Sequence, residues 1–265
     1  MHQLQIILDL YLYTFLFLFG LAIGSFLNVV IYRVPAKRSL NGRSHCPKCD
    51  TQIRGKDNIP VISWILLRGK CRDCKSPISP RYPLVELATG LSWVGLGVLY
   101  GYDPILPLLL LLASASIALA MIDFDTMTLP NVITYPIFII TVIYLGVLGI
   151  VSGDIDSIIS AGIGAGVYFA FFFALWFLTG GRGLGFGDVK LAPTLGAIVG
   201  WYSVGGTLVG IMGAFILGGI PAGILLATGI VKKGTQIPFG PMLLIGAWAG
   251  ILFGDQLSSA YFSLF

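Results

Sequence analysis

Apolar residues in this chain fall in long, nearly unbroken runs, not in the alternating pattern of half-buried strands or the three-to-four spacing of surface helices. The first run covers residues 6–31, interrupted only by Asp9 and a few small polar residues, and a polar stretch of about fifty residues follows from Arg33. Further runs cover residues 84–100, 105–122, 132–151 and 158–178. Each approximates the roughly twenty residues that a helix needs to cross a bilayer. After Asp188 the apolar stretch is too long for one helix; glycines and Trp201-Tyr202 divide it into residues 189–201 and 204–231, and a last run begins near residue 241. The pattern predicts an all-α polytopic membrane protein with about eight transmembrane helices. Residues 1–32 form the first helix, 33–83 a small cytoplasmic domain between helices 1 and 2, and 84–265 a seven-helix membrane domain.

Composition agrees. The 265 residues are 56% hydrophobic and 11% charged, far from the balance of a soluble domain, and the mean hydropathy is +0.91. The first run is longer than the roughly 7–15-residue core of a secretory signal and reads as a retained helix. Charge then orients the chain. Of 16 Lys and Arg residues, 12 lie between Arg33 and Arg81, against Asp50, Asp57 and Asp73. Positive charge marks cytoplasmic loops, so the amino terminus is expected outside. Counting eight crossings from there puts every basic residue on the cytoplasmic side, Arg182, Lys190, Lys232 and Lys233 included, and Asp9, Asp103, Asp154, Asp156 and Asp255 at or near the outer side. The basic stretch lacks the aromatic stacking positions and the helix of a nucleic-acid binder, so no nucleic-acid partner is expected.

All four cysteines sit in the polar stretch, as Cys46-Pro47-Lys48-Cys49 and Cys71-Arg72-Asp73-Cys74. Two such knuckles fit a four-thiolate zinc site, because each presents two sulfurs on one tight turn and the ion takes four tetrahedrally. A reducing cytoplasm disfavours the alternative of two disulfides. A segment this poor in apolar residues would draw much of its folding energy from a metal. His45 reads as a solvated neighbour.

A glycine-crowded loop, residues 180–187, delivers Asp188 to the edge of an apolar segment. Ionisable groups in such places are costly and are usually kept for function. Partners on the same side are Asp123 and Asp125 at the end of the third run; on a continuous helix they are about 200° apart, so both cannot face one pocket. Two carboxylates brought close share a proton across coupled steps. One can then draw a proton from water while the other protonates a carbonyl, the chemistry of an aspartic protease. An N-cap role for Asp188 is the bland alternative. Glycine spacings at 162/166, 206/210 and 219/223 allow close helix packing.

Gly185-Phe186-Gly187-Asp188 resembles the Gly-x-Gly-Asp motif of membrane aspartic peptidases, which include presenilin. The wider match is similar to the bacterial type IV prepilin peptidases. It runs from Gly24-Ser25-Phe26-Leu27-Asn28 through Tyr32-Arg33-Val34-Pro35, the two knuckles, Asp57-Asn58-Ile59-Pro60, Ser63-Trp64 and Ile78-Ser79-Pro80-Arg81-Tyr82-Pro83 to Gly187-Asp188-Val189-Lys190-Leu191. The resemblance implies removal of a short basic leader from type IV prepilins or type II secretion pseudopilins, after a glycine, at the inner-membrane face. It also implies methylation of the new amino terminus with S-adenosylmethionine, at residues the sequence leaves unassigned. Spacing to the family's Leu-Pro motif, here Leu129-Pro130, makes Asp123 the first catalytic aspartate and Asp125 a bystander. Gly185 and Gly187 would lie by the active site. Asn131 stands where many relatives carry Asp.

Two other classes fit the sequence less well. A proton-coupled transporter predicts acidic groups near the midplane and an inverted repeat, whereas the candidate carboxylates lie at one edge and no repeat is visible. A membrane-anchored zinc module explains the cysteines but not the pair of carboxylates.

Overall fold

The computed structural model describes residues 2–181, 184–228 and 238–263. Among them the regular structure is helical: α1 (His2–Arg33), α2 (Ile62–Leu66), α3 (Arg81–Tyr100), α4 (Leu106–Thr126), α5 (Asn131–Ser152), α6 (Ile155–Leu178), α7 (Phe186–Tyr202), α8 (Val204–Ala227) and α9 (Gly240–Phe262), with a 3₁₀ turn at Gly55–Asp57. Each apolar run has become a long helix. Six of these helices, α1, α3, α4, α5, α6 and α9, are long and apolar enough to cross a membrane, and the chain is a multi-pass membrane protein. Arg182, Lys232 and Lys233 of the charge count lie outside the described residues.

The chain forms two units, residues 1–118 and 119–265. In the first, α1 and α3 pack through glycines. A Cβ at Gly20 would come 2.9 Å from Gly90 Cα, and one at Gly24 2.6 Å from Glu86 Cα. Trp93 Nε1 donates to Ser114 Oγ at 3.0 Å, which keeps an indole N–H satisfied inside an apolar layer. At the end of α1, Arg33 turns its guanidinium onto the carbonyls of Ser39, Leu40, Asn41 and Arg43. One cation thereby organises the entry into the polar stretch.

In the second unit α7 is the core. It contacts α5, α6, α8 and α9, and its residues from Asp188 to Gly200 are almost all buried. At 17 residues it is about 25 Å long, and its small residues suit a helix enclosed by protein. Neighbouring helices begin and end on recognisable signals. Pro130 precedes α5 and Gly153 closes it in the left-handed conformation. Asp154 caps α6 by accepting from Ser157 N at 3.0 Å.

The glycine contacts differ from the 162/166 spacing read in the sequence. Among the described residues nothing approaches a Cβ placed at Gly162 or Gly166 within 4 Å. The α6–α7 crossing instead uses Gly164, whose Cβ would lie 2.2 Å from the Gly196 carbonyl oxygen and 2.8 Å from Gly200 Cα. Gly162 and Gly166 are on other faces, since each is two residues from Gly164 and two residues turn a helix by about 200°. The 206/210 spacing does meet a partner: Gly206 and Gly210 of α8 lie against Gly246, Gly250 and Gly254 of α9. Gly196→Ala is therefore expected to destabilise the protein by about 1–3 kcal/mol through overpacking, and Gly162→Ala by less than about 0.5 kcal/mol. Thermal unfolding in detergent distinguishes the two.

Candidate active site

Asp123 lies in the last turn of α4 and Asp188 in the first turn of α7. They are 5% and 6% exposed, whereas Asp125 is exposed. The helix does continue through residue 126, so its turn separates the two aspartates as their spacing requires. Asp123 and Asp188 are close enough for the charge on one to act on the other. Asp188 is the third residue of α7 and the cap position belongs to Gly185. Its Oδ2 faces Gly185, while its Oδ1 is buried without a hydrogen-bond partner.

Glycine makes this approach feasible. A Cβ at Gly185 would stand 3.3 Å from Asp188 Oδ2, and one at Gly187 3.1 Å from Leu129 Cβ. Leu129, 6% exposed, thus wedges between the end of α4 and the start of α7. Alongside it, Lys190 donates to Asn131 Oδ1 and lies 5.9 Å from the Tyr135 ring and 5.7 Å from the Phe186 ring. The asparagine in the Leu-Pro-Asn sequence therefore keeps an acceptor for that lysine. Phe186 in turn packs on Trp176 at 5.0 Å.

One member of the site has almost no signature in the sequence. Gly240, the first residue of α9, donates its N–H to Asp123 Oδ2 at 3.0 Å. Only the compact Phe239-Gly240-Pro241 tripeptide marks it in the chain.

In the first unit the four cysteine sulfurs lie within 4.8 Å of one another. Each knuckle is the same turn. Asp50 N donates to Cys46 O and Cys46 N to Thr51 O; Lys75 N donates to Cys71 O and Cys71 N to Ser76 O. The residue after each second cysteine, Asp50 or Lys75, has positive φ. A metal with four bonds of about 2.3 Å at tetrahedral angles sets sulfurs about 3.8 Å apart, and Cys46 Sγ and Cys74 Sγ stand at 3.8 Å. The cluster can hold a metal ion. The Lys48 and Cys49 backbone N–H groups hold the Cys46 thiol down at about 6, and the Ser76 hydroxyl lowers Cys74. For Cys71 the Cys74 and Asp73 amides act in the same sense, but burial and the neighbouring thiols Cys74 and Cys46 outweigh them and raise it.

Comparison with known proteins places both halves. Residues 18–100 match the model described as Bacterial Peptidase A24 N-terminal domain, and residues 110–227 match the Type IV leader peptidase family. A protein of Stutzerimonas stutzeri called prepilin leader peptidase/N-methyltransferase is 36% identical over 91% of this chain and 91% of its own length. The chain belongs to the type IV leader peptidase family. Relatives with the same description from Aeromonas hydrophila and Klebsiella pneumoniae are 38% and 41% identical, over 96% and 74% of this chain and 94% and 89% of theirs. No solved structure matches. The four cysteines fall in the first matched region and both aspartates in the second, while Gly240 lies beyond it.

This leader peptidase family member also carries a cavity of about 600 Å³ in its first unit, lined by Asn28, Tyr32, Arg38, Trp64 and Glu86 among others. Glu86, 8% exposed, accepts from Val61 N at 2.7 Å. Val61 has φ +60, a strained conformation for a β-branched residue, so this bond fixes the floor of the cavity. At its rim Arg72 clamps Asp57, Nε to Oδ2 at 2.8 Å and Nη2 to Oδ1 at 2.6 Å. The Arg72 guanidinium holds the Asp57 carboxyl below its ordinary value. The stabilisation is therefore present above the unfolded value near about 3.9 and is lost as pH falls through the lowered one. Asp57→Asn removes it at neutral pH. Hydrogen exchange at the Cys71 and Lys75 amides is expected to quicken about fivefold.

Proposed function

We propose that the chain is an aspartic endopeptidase of the membrane interface, with Asp123 and Asp188 as its catalytic pair and Gly185 and Gly187 giving backbone access beside them. Its substrates are type IV prepilins or type II secretion pseudopilins, cut after the glycine that ends a basic leader. The observation that carries this reading is the pair of buried carboxylates gathered from the ends of α4 and α7. Sharing one proton, the pair takes a proton from water through its ionised member as the water oxygen attacks the scissile carbonyl carbon. The protonated member donates to the carbonyl oxygen. The tetrahedral intermediate collapses as the C–N bond breaks, with a proton delivered to the leaving amine.

The substrate class follows from the same placement. A basic leader held in the cytoplasm and followed directly by an apolar helix puts the scissile bond at the membrane surface. The charge pattern supports eight spans in the bacterial inner membrane, with residues 33–83 and the catalytic pair on the cytoplasmic side. There Cys46, Cys49, Cys71 and Cys74 bind one structural zinc ion.

A second activity, methylation of the new amino terminus, fits the cavity in the first unit. S-adenosylmethionine would supply a methyl group on a cationic sulfonium. The volume is within the range of small-molecule sites, Tyr32 and Trp64 offer ring faces, and Glu86 offers a buried carboxylate.

The test is cleavage of a model prepilin, with basic leader, glycine and following apolar helix, by variants in membranes. Asp123→Asn and Asp188→Asn are expected to lose at least about a thousandfold in rate while remaining folded, and Asp125→Asn to stay within about threefold. Intact substrate with folded wild type, or dependence on Asp125, would overturn the assignment. Metal analysis should find about one zinc per chain, falling below about a tenth in Cys71→Ser.

A further inference from the structure

We propose that Gly240 is a positioning residue for proteolysis: its backbone N–H holds one oxygen of Asp123, and its missing side chain is what lets the carboxylate sit there. The inference rests on the reading of Asp123 and Asp188 as the catalytic pair.

Three features of the chain converge on this bond. First, the leading N–H groups of a helix have no partner within it, and Pro241 has none to give. Of the first two residues of α9, then, only Gly240 carries a donor, and it meets Asp123 Oδ2 at 3.0 Å across 117 positions of sequence. Second, the space is closed to any other residue. A Cβ at position 240 would lie 2.7 Å from Asp123 Oδ2, 3.2 Å from its Cγ and 3.4 Å from Leu129 Cδ2. The contacts under 3.4 Å are with the carboxylate itself, so the side chain that must yield is the one proposed to do the chemistry.

Third, the donor is anchored from behind. Phe239 packs on Phe215 at 5.4 Å and on Phe172 at 6.1 Å between ring centroids. A Cβ at Gly218 would meet the same ring at 3.3 Å. With Met242 N and Leu243 N both donating to Phe239 O, the backbone has already turned into the helix. Gly240 cannot follow a displaced Asp123 without disturbing that aromatic cluster. The result is a rigid donor acting on a buried carboxylate, the arrangement in which a small displacement is most costly to rate.

Full-length Gly240→Ala in membranes is the test, with the model prepilin as substrate and thermal unfolding measured alongside. The expected result is a fall in kcat of about a hundredfold with KM within about twofold, since Gly240 is buried and its bond is to Asp123. The Asp123→Ala/Gly240→Ala double variant serves if the single variant folds poorly. Removing the carboxylate makes room for the added methyl group, so the melting temperature is expected to return to that of Asp123→Ala alone. A kcat near wild type, a loss carried by KM alone, or a stability defect that persists in the Asp123→Ala background would each overturn the role of Gly240. Full activity in Asp123→Asn would instead overturn the catalytic pair itself, so the two failures are distinct.

Discussion

Two carboxyl groups set side by side in an apolar bundle gain nothing from each other: burial penalises their charge and proximity penalises it again. Everything that gathers Asp123 and Asp188 must therefore come from the packing around them. The second unit supplies it by enclosing α7 on several sides and by letting backbones touch at Gly164, Gly196 and Gly200. Lipid provides no hydrophobic force to drive helices together, so close van der Waals contact at those glycines has to hold the site in register. Leu129 and the Lys190–Asn131 bond fix the start of α7 against the entry to α5.

The first unit solves a different problem. The polar stretch between α1 and α3 has little apolar surface to bury, so its order comes from polar bonds to fixed points. Arg33 gathers the carbonyls that follow α1, Glu86 of α3 holds the strained Val61, and Arg72 ties the second knuckle to Asp57. A metal in the cysteine cluster would complete the same scheme, joining two turns that are otherwise 21 residues apart in the chain.

Much of this is legible in the chain because membrane helices announce themselves by uninterrupted hydropathy, and knuckles by spacing. The angular argument about Asp123 and Asp125 needs only a continuous helix, which α4 is. What is not legible depends on pairing between distant segments. Any of three spaced glycines on α6 could face a neighbour, and the rotation that selects Gly164 over Gly162 and Gly166 is set by α7. Gly240 is invisible for the same reason: a backbone N–H has no sequence signature, and its partner is supplied by α4. Asp188 likewise stands at the third position of α7, with Gly185 at the cap, a placement that the spacing alone does not distinguish from a cap.

The shortness of α7 bears on where a hydrolase in a bilayer finds its water. A helix of about 25 Å is shorter than a hydrocarbon layer of about 30 Å by roughly one turn of depth. Because α7 is wrapped by protein, that depth is bounded by side chains and glycine backbone and not by acyl chains. Asp188 stands within the first turn of the helix. On the proposed catalytic reading, water arriving at that end of the helix passes along protein groups, and no conduit through lipid is required.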